Sequence, residues 1–173
     1  RACDFVVCDV AHLPLRDSSV QTVVAADLAE HLFDGQFESF LGDCGRVLED
    51  RGILVLYTPN ATNIFHLRYA HARKTVWPFN DPTHIGLRSA LDLIKRLTKH
   101  DFKIERANCL ETILDTPKEM MLHRLLRRTF SMISRLAPVT QYFLGGRVCI
   151  RARNSRPKKR LSFHTLRQTP SKY

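Results

Sequence analysis

Apolar residues along this chain form short solid runs, separated by stretches in which they recur at helical spacing. That alternation predicts an α/β fold. Phe5-Val6-Val7-Cys8 is a brief β-rich run stopped by Asp9, and Pro14 with Arg16-Asp17-Ser18-Ser19 reads as loop. Val20–Ala26 is apolar almost throughout, as buried parallel strands tend to be. Over residues 35–48, Phe37, Phe40, Leu41, Cys44, Val47 and Leu48 follow helical spacing. Arg51-Gly52 breaks that helix, and Ile53–Tyr57 is a further buried strand, ended by Thr58-Pro59-Asn60. Strand, helix and strand joined by short connections make the βαβ pattern of a parallel, doubly wound sheet.

The second half is less regular at first. Residues 64–73 suit a helix, while Trp77-Pro78 and Asp81-Pro82 favour loop. Leu87–His100 returns to helical spacing through Leu91, Ile94 and Leu97, with Ser89 placed to cap it. Phe102–Leu110 reads as a strand at an outer position of the sheet. Lys118–Ala137 is an amphipathic helix with Leu122, Leu125, Leu126, Phe130, Ile133 and Leu136 on one face and Arg124, Arg127, Arg128 and Arg135 gathered opposite. Gly145-Gly146 precedes a last strand, residues 147–152. From Arg153 onward the chain is basic, lacks acidic residues and contains two prolines, the composition of a disordered tail.

Charge adds an asymmetry to this picture. Residues 1–60 hold four Lys/Arg against ten Asp/Glu, whereas residues 61–173 hold 23 against seven, within an overall charge of +10. Such a basic half suits an acidic partner: nucleic acid, an anionic membrane surface or an anionic substrate. No aromatic-interleaved RNA-reading motif accompanies it, which argues against nucleic acid. Five scattered cysteines without a Cys-x-x-Cys pair suit reduced thiols and a cytoplasmic setting rather than a disulfide framework or zinc site. No apolar run approaches the roughly 20 residues of a membrane-spanning helix. The chain opens on Arg1 and runs at once into apolar sequence, so an internal cut in a longer protein is expected.

Three segments in order carry a resemblance to a known family. They are Cys8-Asp9-Val10-Ala11-His12-Leu13-Pro14-Leu15, the stretch Val20 to Leu32 with its Glu30-His31-Leu32, and Arg46 to Asn60 ending in Thr58-Pro59-Asn60. A weaker fourth is Pro82-Thr83-His84 followed by the helix to His100-Asp101-Phe102, where Gly-Phe is usual. Together, over roughly residues 5–110, they resemble class I S-adenosylmethionine-dependent methyltransferases, the quinone-biosynthesis group above all. Gln21 departs from the usual Asp, and Arg51-Gly52 from a common Gly-Gly. No Gly-x-Gly-x-Gly turn occurs in the chain, so an N-terminally truncated domain is expected. The resemblance implies an incomplete Rossmann-like α/β sheet containing strands 3 to 7 of the order 3-2-1-4-5-7-6. It implies a partial methyltransferase domain over residues 1–153, with 61–86 and 111–144 as substrate-covering insertions, and a basic tail over 154–173. The fragment alone is expected to be inactive.

What the resemblance implies about chemistry is specific. S-adenosylmethionine would be the cofactor, in the crevice beyond the carboxyl ends of the strands. Asp9 would accept from the adenine amino group, Val10 would offer its N–H to the ring, and Leu13 would pack on the ring face. Ala26 or Asp27 would meet the amino-acid end through a backbone carbonyl. Glu30 and His31 are the candidate catalytic groups, since a hydroxyl nucleophile benefits from a base. His84 and Trp77 are candidate substrate contacts. Against these stand plainer readings: a turn aspartate at Asp9, a structural Glu-His-Leu turn, a helix-capping His84 and ordinary packing of Trp77. Asp27-x-x-Glu30-His31 is similar to the Glu-x-x-Glu-His that holds a divalent cation in quinone O-methyltransferases. One such turn offers too few ligands for an oxygen-rich magnesium site, and no metal is expected. The acceptor would be a small or lipid-like molecule, with residues 118–137 available for peripheral membrane contact. Two rival readings are a degenerate, non-enzymatic interaction module and another nucleotide-binding Rossmann domain.

Overall fold

The computed structural model describes residues 3–63, 81–110 and 138–156, and shows four strands and two main helices. In chain order these are β1 (Val20–Ala26), α1 (Asp34–Val47), β2 (Leu48–Pro59), α2 (Ala90–Lys99), β3 (Phe102–Leu110), the single turn α3 (Gln141–Leu144) and β4 (Arg147–Asn154). The sheet order is β1-β2-β4-β3. β1 runs parallel to β2, pairing Val24 with Val55 and Ala26 with Tyr57. β4 is antiparallel to both β2 and β3. This is the order expected for strands 4, 5, 7 and 6.

The expected strand at Phe5–Cys8 is not formed. Those residues have no strand pairing, and Phe5 and Val7 are fully open to solvent. A strand needs a neighbour for its N–H and C=O groups, and among the described residues β1 pairs only with β2. The last strand runs two residues beyond the expected 152. Asn154, expected in the tail, is buried and donates to Gly45 O at 3.1 Å. Trp77, the helix at 64–73, the helix at 118–137 and the tail beyond Arg156 lie outside the described residues.

Periodicity explains the layers. Alternate residues of the central strands (Leu54 and Leu56 on β2, Val148, Ile150 and Ala152 on β4) join one buried cluster. Phe37, Phe40, Leu41 and Cys44 of α1 and Ala90, Leu93 and Leu97 of α2 close over it. The opposite face is barely covered at its β1 edge, where Val24 stays 67% exposed. Ser89 caps α2 as predicted, its hydroxyl accepting from Asp92 N at 3.1 Å. At the other end Asp101 adopts the left-handed conformation, φ 62°, that glycine would take more cheaply. Burial pushes the thiols of Cys44 and Cys109 up to about 12, and all five cysteines are free. Among the described residues no helix is long and apolar enough to cross a membrane.

Glu38 ties the two helices together, meeting Lys99 Nζ and His100 Nε2 at 2.9 Å and Arg96 at 2.8 Å. Lys99 first and His100 next hold its carboxyl down to about 2, from the usual 4.5. A depressed carboxylate stabilises the fold above its unfolded value, and that stability disappears as pH falls through the folded one. Glu38→Gln should therefore cost about 1–3 kcal/mol near neutrality and almost nothing at about pH 2. Urea unfolding at several pH values between about 7 and 2 measures this. Parallel pH dependences of variant and wild type would rule the linkage out.

Candidate functional site

The carboxyl end of β1 turns sharply. Asp27 sits at φ 48°, its N–H donating to Tyr57 O at 2.8 Å. Ala29–His31 then forms one 3-10 turn, closed by His31 N to Leu28 O at 3.0 Å. The turn sends Glu30 inward, where it is 1% exposed and accepts from Thr58 Oγ1 at 2.9 Å, at the end of β2. His31 faces the loop before α2. Its Nδ1 lies 3.0 Å from Thr83 O, which makes Nδ1 the donor and leaves Nε2 as the lone-pair nitrogen of the neutral ring.

That loop is itself preset. Asp81 Oδ1 accepts from Thr83 N at 2.9 Å and from Thr83 Oγ1 at 2.7 Å, an Asx turn. The Thr83 hydroxyl and N–H, with His84 and His31 nearby, hold the Asp81 carboxyl below the ordinary aspartate range. His84 is drawn in: its side chain is 5% exposed, its Nε2 lies 3.7 Å from Asp81 Oδ2, and its ring centroid is 5.0 Å from that of His31. One donor atom from each of Glu30, His31 and His84 falls within 4.8 Å of the other two.

Arg88 fastens loop and turn together. Its guanidinium donates to Ala29 O at 2.6 Å, Gly86 O at 2.7 Å, and Leu32 O and Asp34 Oδ1 at 2.9 Å, and it lies 4.3 Å from the Phe37 ring centroid. Gly86 N donates to Glu30 O at 2.8 Å. There is no room for a side chain there, since a Cβ on Gly86 would sit 2.0 Å from Leu32 O.

The sequence-predicted residues thus divide into groups. Glu30, His31 and His84 come together. Ala26 and Asp27 lie on the same strand end, but the Asp27 carboxylate pairs with Arg147, whose guanidinium also lies 5.1 Å from the Tyr57 ring centroid. Asp9, Val10 and Leu13 form a separate loop fixed to α1, where Arg46 donates to Leu13 O at 2.8 Å. Val10 and Leu13 pack against the core cluster. Asp9 is exposed and accepts from Ala11 N at 2.9 Å, and this N–H chiefly keeps its carboxyl below the ordinary range.

Sequence reasoning missed Arg88, Gly86, Thr58 and Asn60. Asn60 is buried and donates to Tyr142 O and Gly145 O, both at 2.9 Å, stitching the end of β2 to the turn before β4. The Thr58-Pro59-Asn60 motif was the available signal for two of these. An arginine one residue before a capping serine carries no comparable mark.

Residues 1–56 match a family described as a methyltransferase domain. A Mycolicibacterium smegmatis protein named as a probable S-adenosylmethionine-dependent methyltransferase is 34% identical over 97 residues, 56% of this chain and 34% of that protein. A Mycobacterium tuberculosis protein of the same name is 44% identical over 52 residues, 30% of this chain and 18% of that protein. The chain therefore spans about a third or less of these curated relatives. Among solved structures, a SAM-dependent methyltransferase from Methanosarcina mazei superposes with a TM-score of 0.55 at 16% identity, covering 87% of this chain and 66% of that one. Residues 1–56 are thus similar in sequence to the methyltransferase-domain family, and the described residues share the fold of solved SAM-dependent methyltransferases.

Proposed function

We propose that the protein transfers a methyl group from S-adenosylmethionine to a small-molecule or lipid-like acceptor, and that these residues supply the acceptor side of the site. The observation that carries this reading is the convergence of Glu30, His31 and His84 beside the carboxyl end of β1, where open α/β sheets bind ligands. The residues present fit part of the cofactor. Asp9 is exposed and retains acceptor capacity beyond the Ala11 N–H, as an adenine amino group requires. Val10 would offer its backbone N–H and Leu13 its apolar surface. With its carboxylate paired to Arg147, Asp27 would contribute only its backbone carbonyl, as would Ala26. The amino-acid end finds no glycine turn within these 173 residues.

The cofactor supplies an activated methyl on a sulfonium, whose departing thioether needs no acid. The chain's own part is alignment and proton removal. With Nδ1 committed to the Thr83 carbonyl, His31 would take the acceptor's proton on Nε2. His84, walled in by Asp81 and the Glu30 turn, would hold the acceptor against it. The amphipathic, arginine-rich sequence of 118–137 favours an acceptor presented at an anionic lipid surface.

Calorimetric titration of S-adenosylhomocysteine into the protein, extended to the length of its relatives, tests this reading. Binding should weaken about tenfold in Asp9→Ala, the loss of one charge-assisted hydrogen bond. A well-folded protein of that length that binds none would favour a non-enzymatic module instead.

A further inference from the structure

We propose that Lys103, Arg106, Arg151 and Arg153, on the face of the sheet turned away from α1 and α2, bind a phosphate-rich anion of the diphosphate class. Such a site does not depend on the methyl-transfer reading. It also lies apart from the crevice. Arg147 marks the crevice end of β4, and Arg151 and Arg153 follow it along the strand, about 14 and 20 Å away.

Register places the four cations. Lys103 pairs with Arg153 and Arg106 with Arg151, so two rungs of the β3–β4 ladder each carry two positive side chains on one face. The register shift between Ile104 and Arg106 makes this possible, since in an unbroken strand Arg106 would turn to the core face. Val148, Ile150 and Ala152 of β4 fill the core behind them.

Acidic groups do not match this charge. Glu105 meets Arg151 Nε at 3.0 Å and also pairs with Arg153. Among the described residues Lys103 and Arg106 have no carboxylate partner, and both are exposed. Four cations against one carboxylate leave a net charge of +3 on two neighbouring rungs. Like charges directly opposite each other in a ladder cost stability.

Protection of the sheet edge does not account for the arrangement. Charged residues on an edge strand deter unwanted pairing, and β3 is the edge. β4, however, lies between β2 and β3, and its arginines guard no edge. Arginines on an inner strand, set opposite two further cations, suit an anion that bridges both rungs.

Charge and shape then select the ligand. Guanidinium forks match phosphate oxygens in pairs, and three of the four groups are arginines. One further carboxylate would leave most of the excess charge unanswered. A phosphate group carries about −1.5 to −2 near neutrality, so two joined phosphates offset it. The rungs stand about 7 Å apart along the strand, a gap that these long side chains can converge across.

Inorganic diphosphate is the probe, titrated calorimetrically without divalent metal into the protein extended to the length of its relatives. One equivalent should bind, more weakly as salt rises, because exposed charges are screened. Arg106→Gln should weaken binding about tenfold, the loss of one charge-assisted contact. The same variant should unfold no earlier than the parent, since it also removes a like-charge pair. A merely structural arginine would show the opposite split. Arg16→Gln, at an exposed arginine in the loop before β1, should match the parent. Circular dichroism checks that each variant is folded, and Lys103→Gln replaces Arg106→Gln if that one is not. A folded parent with no saturable diphosphate binding overturns the proposal. So does binding that both Arg106→Gln and Lys103→Gln leave unchanged. Attachment to phosphatidylglycerol vesicles without binding of free diphosphate also overturns it, by making this face a membrane contact. Because no adenosyl compound enters the experiment, its failure leaves the methyl-transfer reading standing, and the converse also holds.

Discussion

Replacing Arg88 with alanine is expected to destabilise the fold by about 3–5 kcal/mol, a large share of the 5–15 kcal/mol that holds a typical domain together. The guanidinium is buried and donates to three backbone carbonyls, those of Ala29, Leu32 and Gly86, besides Asp34. Truncation leaves those carbonyls without this donor in a dry site, at about 1–3 kcal/mol each where water cannot enter, and opens a void against Phe37. Asp34 loses little, because it is well exposed. Lysine is no substitute: one ammonium on a flexible stem cannot reach four acceptors arranged around a planar fork. Arg88 is also imperfect, since its Nε has no hydrogen-bond partner among the described residues. The native arrangement thus carries a cost that only the other bonds offset. Thermal unfolding should show midpoints falling by roughly 6–20 °C for Arg88→Ala, and substantially for Arg88→Lys. An unchanged midpoint in both would mean the two loops hold each other without this residue.

The same arginine shows where sequence reading reached its limit. Elements governed by local periodicity were legible. β1 and β3 match their expected spans, α1 and α2 lie within a few residues of theirs, and Ser89 caps as expected. Phe5–Cys8 failed for the opposite reason: its pattern is that of a strand, but pairing is a property of neighbours and not of the segment. Glu30, His31 and His84 were each singled out from sequence, yet nothing in the spacing told that the 52 residues between His31 and His84 return His84 to the turn. That return depends on Gly86, Arg88 and the Asp81 turn, which are unremarkable in one dimension.

Gly86→Ala is the substitution that should separate site geometry from overall stability. A Cβ there would meet Leu32 O at 2.0 Å and an Arg88 guanidinium nitrogen at 2.9 Å, and the first of these is backbone that cannot swing aside. The backbone at this position is not in the left-handed region, so the conflict is one of space alone. To restore an ordinary contact the 81–88 loop must withdraw by about 1 Å, at an expected cost of about 1–3 kcal/mol. Withdrawal stretches the Gly86 N–H bond to Glu30 O and carries His84 away from His31. Misplacement on that scale costs about 100-fold where reacting groups must be aligned. Turnover in the proposed methyl transfer should therefore fall far more than the modest loss of stability explains. Gly35→Ala is the matched control, because a methyl group added at the start of α1 would find nothing within 4 Å. It should be neutral, or stabilising by up to about 1 kcal/mol through helix propensity. If Gly86→Ala unfolds like wild type and turns over as fast in the proposed methyl transfer, the loop has slack that the 2.0 Å approach denies. The histidine pair would then be a chance neighbour of the turn and not a built site.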